Sequence, residues 1–83
     1  MITSGQIKAA RALLGITAAE LGELSGVAYT TVVRMESSKG IPSGQVKTLD
    51  SVQKALEEAG IEFLGSPQEG AGVRWKPKSK KET

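Results

Sequence analysis

The sequence contains no cysteine and no histidine. The first absence excludes disulfides, thiolate nucleophiles and cysteine-based zinc sites. The second removes the imidazole base and the commonest metal ligand, so a hydrolytic triad built on histidine has no base. Aromatic side chains amount to one Trp, one Tyr and one Phe, which leaves Ala, Val, Ile and Leu to build a core and suits close-packed helices. Long apolar runs are also missing. Lys8 and Arg11 interrupt the N-terminal one, so neither a membrane span nor a signal peptide is expected, and the expected location is the cytoplasm. The glycines between Gly65 and Gly72 follow neither a Walker pattern nor a strand-to-helix GxGxxG. With no nucleophile–base pair, metal set or phosphate loop, no enzyme, metal or cofactor is expected.

At 83 residues the chain has room for one small domain. A core of this size struggles without disulfide or metal staples, so tight helix packing or a partner subunit has to make up the difference. The net charge of +2 is unevenly spread. Residues 1–44 are near balance, 45–64 are acidic, and 65–83 carry five Lys/Arg against two Glu. Such a balance permits an anionic partner without demanding one.

Helical spacing of Ile7, Ala10, Leu13 and Leu14 predicts a first helix over 4–14, with Ser4 as N-cap and Gly15 as stop. Thr17 with Glu20 three residues on reads as a capping box that opens a second helix over 18–24, with Leu21 and Leu24 inward. Gly26 ends it. A third helix is expected over 28–37, with Val27, Val32 and Met35 on its apolar side and Tyr29, Thr30, Val33 and Arg34 turned away. The β-branched run 30–33 favours a strand locally, but the helix-turn signals on either side override it. After a polar loop over 37–44, Thr48 and Ser51 mark the start of a fourth helix to Ala59, closed by Gly60. Ile61–Leu64 and Gly72–Trp75 read as two short strands, and the Pro/Lys/Ser-rich residues 76–83 as a disordered basic tail.

Two short helices joined by a tight glycine turn, with Leu21, Val27, Val32 and Met35 inward, form a helix-turn-helix. Any helical domain contains such corners, so the pattern alone is compatible with a simple packing corner. The segments Thr17-Ala18-Ala19-Glu20-Leu21-Gly22, Gly26-Val27-Ala28 and Thr31-Val32-Val33-Arg34-Met35-Glu36 resemble the Xre/Cro-type helix-turn-helix of phage repressors and bacterial regulators, over roughly residues 4–59. The resemblance implies a mainly α fold: a four- to five-helix repressor-like domain over 1–60 with a short C-terminal β-hairpin over 61–75.

It also implies roles. Helix 28–37 corresponds to the recognition helix, with base contacts at Tyr29, Thr30 and Arg34 and with Val33 exposed beside them. Arg34 is the leading candidate, because a guanidinium bonds bidentately to guanine O6 and N7. Arg11 and Glu36 match the family's ion pair between the first helix and the end of the recognition helix. Phosphate positioning falls on Thr17, Ser37, Ser38 and Lys39, the lysine being as readily a plain solvated side chain. The family usually has Gln where Ala18 stands and a capping Ser where Ala28 stands.

The two strands offer unpaired edges, and Ile61, Phe63, Val73 and Trp75 are the expected dimerisation residues; a hairpin folded back over the fourth helix is the competing reading. The functional expectation is a sequence-specific regulator that binds double-stranded DNA as a homodimer and blocks or recruits polymerase. The alternative is an antitoxin-like module whose extension grips a partner protein.

Overall fold

The computed structural model describes residues 2–42 and 46–76. Four helices and a two-stranded sheet follow in the order α1 (Ser4–Leu14), α2 (Ala18–Ser25), α3 (Tyr29–Ser37), α4 (Val46–Glu58), β1 (Ile61–Leu64) and β2 (Gly72–Trp75). The chain is thus mainly helical with a C-terminal antiparallel hairpin.

The cap of α1 is Thr3 and not Ser4. Thr3 has extended backbone, its hydroxyl oxygen accepts from Gln6 N at 3.1 Å, and Gln6 Oε1 accepts from Thr3 N at 2.8 Å. Thr3-x-x-Gln6 is thus a capping box in its own right, with Gln as its fourth member. Ser4 lies inside the helix and is buried, and its hydroxyl turns to a distant loop. Gly15 closes the helix in the left-handed conformation.

In α2 the expected capping box forms, with Glu20 N donating to Thr17 Oγ1 at 3.1 Å and Thr17 N to Glu20 Oε1 at 2.8 Å. Leu21 is fully buried, but Leu24 is 58 % exposed and does not face inward. The covered stripe runs through Ala18, Leu21, Gly22 and Ser25, and Leu24 falls outside it. Gly22 and Gly26 together make the turn. Gly26 takes φ +72°, and a Cβ on Gly22 would stand 2.7 Å from the Val27 carbonyl oxygen, so the chain passes too close for any side chain there.

In α3, Val32 and Met35 are buried and the β-branched run is helical, the local strand preference giving way to packing. Ala28 sits at its N-cap and supplies no side-chain bond, as its replacement of a capping serine implies. Helix α4 already includes Val46 and Lys47, ahead of the expected start at Thr48. Residues 43–45, the first two of them in the expected loop, lie outside the described residues.

Ile7, Leu21, Val32, Val52 and Leu56 are the largest fully buried side chains, so one aliphatic core joins all four helices. The hairpin closes it. The register pairs Ile61 with Trp75, Glu62 with Arg74, Phe63 with Val73 and Leu64 with Gly72. Strand alternation puts Ile61, Phe63, Val73 and Trp75 on one face and Glu62 and Arg74 on the other. Ile61 is buried in the core, and Phe63 and Val73 pack against it. Two polar clasps hold the hairpin. Gln6 Nε2 donates to the Gly72 carbonyl at 2.8 Å and the Leu64 carbonyl at 3.3 Å; Trp75 Nε1 donates to the Ala59 carbonyl at 3.2 Å. Lys76 N still reaches the Gly60 carbonyl, at 2.8 Å. The rest of the expected disordered tail, 77–83, lies outside the described residues.

Candidate nucleic-acid interface

The turn at Gly22–Gly26 fixes α3 against the body through Val32 and Met35, and this decides what the opposite side shows. Tyr29, Thr30, Val33 and Arg34 are all exposed there, spaced so that they share one outer face of the helix. Arg34 is the only ionised group among them. The other charge of α3, Glu36, points the other way and is buried.

Its partner is Arg11. Nε donates to Glu36 Oε2 at 2.8 Å, Nη2 to Oε1 at 2.9 Å, and Nη1 to the Ile16 carbonyl at 3.2 Å. The planar fork thus satisfies both carboxylate oxygens, and those bonds raise the Arg11 pKa above its ordinary value. The pair ties α1 to the last turn of α3 and sets the angle at which the outer face is presented.

The four expected phosphate-contacting residues lie in two places. Thr17 is exposed at the N-terminus of α2, where the helix directs its first amides outward. Ser37, Ser38 and Lys39 follow one another at the end of α3. There the hydroxyls are already engaged: Ser37 Oγ donates to the Val33 carbonyl at 2.9 Å and Ser38 Oγ to the Arg34 carbonyl at 3.2 Å. A phosphate oxygen only accepts, so in this arrangement neither serine has a proton to give it. Lys39 does, and it is exposed. The loop that carries it is anchored from below. Ser4 Oγ donates to the Ser38 carbonyl at 2.6 Å and lies 3.1 Å from the Gly40 carbonyl, while Ser4 N donates to that same carbonyl at 2.8 Å.

One cation escaped the sequence reading. Lys47 lines an open cleft of about 270 Å³ together with Gly26, Val27, Ala28 and Thr31, next to the N-terminus of α3. The signal in the sequence is a basic residue in the first turn of the helix that follows the recognition segment, hidden because α4 starts at Val46 and not at the expected Thr48. Arg34 on α3, Lys39 in the loop after it and Lys47 at the start of α4 are all exposed.

Residues 7–46 match the family model described as helix-turn-helix, a span that starts in α1, runs through the turn and α3, and ends as α4 begins. The matched segment is similar to Xre/Cro-type helix-turn-helix domains. The family it matches is one of DNA-binding regulators, which supports a DNA-binding helix-turn-helix in this chain. No curated protein matches the chain.

The expected dimerisation residues are placed differently from an open interface. Ile61, Phe63 and Val73 are engaged with the chain's own core; of the four only Trp75, 42 % exposed, has much surface left, and Leu64, 39 % exposed, lies on the other face at the far end of the hairpin. Among the described residues no third strand pairs with the hairpin. Among the described residues no helix is long and apolar enough to cross a membrane.

Proposed function

We propose that the protein is a sequence-specific transcriptional regulator that acts in the cytoplasm as a homodimer, laying α3 of each copy in the major groove of double-stranded DNA. The observation that carries this reading is the division of α3: Val32 and Met35 are consumed by the core, while Tyr29, Thr30, Val33 and Arg34 stand exposed on a helix whose pose is fixed by the Arg11–Glu36 fork. Arg34 reads guanine, and Tyr29 and Thr30 contact neighbouring base edges or phosphate. Lys39, Lys47 and the N-terminal turn of α2 at Thr17 hold phosphates; Ser37 and Ser38 join them only by releasing their helix carbonyls.

Dimerisation follows from information content. One recognition helix reads only about four or five base pairs' worth of groove, and a genome offers too many such matches for useful specificity. Two copies related by a two-fold axis place their recognition helices about 34 Å apart, one turn of DNA, on a palindromic site. The outer strand edges of the hairpin, beside Trp75, are the surface we assign to that contact.

Selection of bound fragments from random DNA tests the reading directly, with a palindromic consensus as the expected result. Arg34→Ala is expected to weaken the selected site by roughly 1–3 kcal/mol and relax one base position. Lys39→Ala is expected to weaken all sequences alike and reduce the salt slope by about one. Equal losses on selected and random DNA for Arg34→Ala would remove it as a reader. Sedimentation of the full chain as a monomer at high micromolar concentration would remove the dimer.

A further inference from the structure

The outer face of α3 is poor in charge and rich in methyl groups. Val33 is 39 % exposed and has no polar atom in its side chain, while Thr30, one turn earlier, exposes a methyl beside its hydroxyl. The core takes nothing from Val33, since Val32 and Met35 fill the inward positions. Locally valine works against the helix, because branching at Cβ restricts its rotamers. In water its two methyls gain nothing either.

A major groove offers such a side chain one apolar partner. Base edges there present hydrogen-bond donors and acceptors, with the single exception of the C5 methyl of thymine. Arg34, the next residue along, has the fork that suits guanine, and no acidic side chain on this face competes for it. Residues 30 to 34 advance along the helix axis by about 6 Å, which matches roughly two base-pair steps of about 3.4 Å. One helix turn therefore spans a guanine and a neighbouring thymine together.

We infer that Val33 and Thr30 form a methyl-reading pair that selects thymine, by its C5 methyl, one or two base pairs from the guanine held by Arg34. This rests on the assignment of α3 as the recognition helix and adds to it the chemistry of the second base. Discrimination at that position comes from shape and dehydration and not from hydrogen bonding. It follows that uracil, which pairs as thymine does and keeps the same O4 acceptor, is read as a wrong base.

The experiment uses the full chain and the DNA selected from random sequence, with each thymine replaced in turn by deoxyuridine. The expected result is a loss of roughly three- to tenfold at one position per half-site, the scale of one buried methyl group, and unchanged affinity at the others. Val33→Ala, at an exposed position where folding is checked by urea denaturation, is expected to reduce that thymine-to-uracil ratio toward one, and Thr30→Ser to reduce it in part. Equal affinity for thymine and uracil at every position, with binding still lost on Arg34→Ala, would overturn the methyl reading and leave the recognition helix standing. Undiminished discrimination in Val33→Ala would also overturn it. Failure to select any sequence would overturn both this inference and the function it rests on.

Discussion

Two arginine–glutamate pairs sit in different regions of the molecule and differ in nearly everything but composition. Arg11 and Glu36 join α1 to α3, with side-chain exposures of 27 % and 9 %, and each carboxylate oxygen takes its own N–H. Arg74 and Glu62 face each other across the hairpin, with exposures of 55 % and 46 %, and Nε and Nη2 of the arginine converge on one oxygen, Oε1. Water can replace either partner of the second pair. It cannot readily replace Arg11, because Glu36 is closed in by the last turn of α3. A contact between the same two residue types is thus a structural joint in one region and a surface ornament in the other, and access of water makes the difference.

The largest effect is expected at the joint. Glu36→Ala leaves the Arg11 guanidinium without its partner and is expected to cost about 3 kcal/mol in urea denaturation, while the double variant Arg11→Ala/Glu36→Ala costs less than the sum of the singles. Strict additivity would reduce this pair to the level of the other one.

Gln6→Ala is the next largest. It removes the amide that the hairpin carbonyls of Leu64 and Gly72 share, along with the acceptor for Thr3 N, and is expected to cost about 2 kcal/mol. Amide exchange should quicken in β1 and β2 more than in α2 and α4. Uniform loss across the chain would mean that the hairpin and helices form one cooperative unit.

The smallest effect belongs to Glu62. Hydrogen bonding from Arg74 holds its carboxyl below the usual carboxylate value. A carboxyl whose folded-state pKa is depressed stabilises the fold above its unfolded pKa, and that contribution is lost as the pH falls through the carboxylate range toward the folded value. Because the group is exposed, Glu62→Gln should leave the urea midpoint at pH 7 indistinguishable from the parent. The carboxyl carbon, followed by NMR, should still titrate low, and Arg74→Ala should restore it. A clear shift of the urea midpoint would place this pair with the joint and not with the surface.

The sequence made the local parts of this design readable and hid the long-range ones. Gly15, Gly26 and the Thr17–Glu20 box act within one turn of themselves, and helix ends were found there. Thr3 and Ser4 are both good caps, and only the loop at Ser38–Gly40, far along the chain, occupies the serine. A leucine three residues from Leu21 has the spacing of core, but the eight-residue α2 buries a narrower stripe than that pattern assumes and leaves Leu24 exposed. The outer face of α3 was legible from spacing alone. The direction of the Ser37 and Ser38 hydroxyls was not, since a serine near a helix end can bond outward or back to its own helix.

The bonds of Ser4 and Gln6 set an order of events in synthesis. Ser4 waits for Ser38 and Gly40, 34 and 36 residues downstream, and Gln6 waits for Gly72, 66 residues downstream. On the ribosome the helices can form and the turn can close while the hairpin is still inside the exit tunnel, but the first turn of α1 keeps polar groups unmatched until Gly72 has emerged. Of the two contacts, the one from Gln6 therefore forms last. Closing so long a loop is slow relative to forming a helix, so the N-terminal turn should lock only once β2 is available, after the Ser4 bonds have already anchored the loop carrying Lys39.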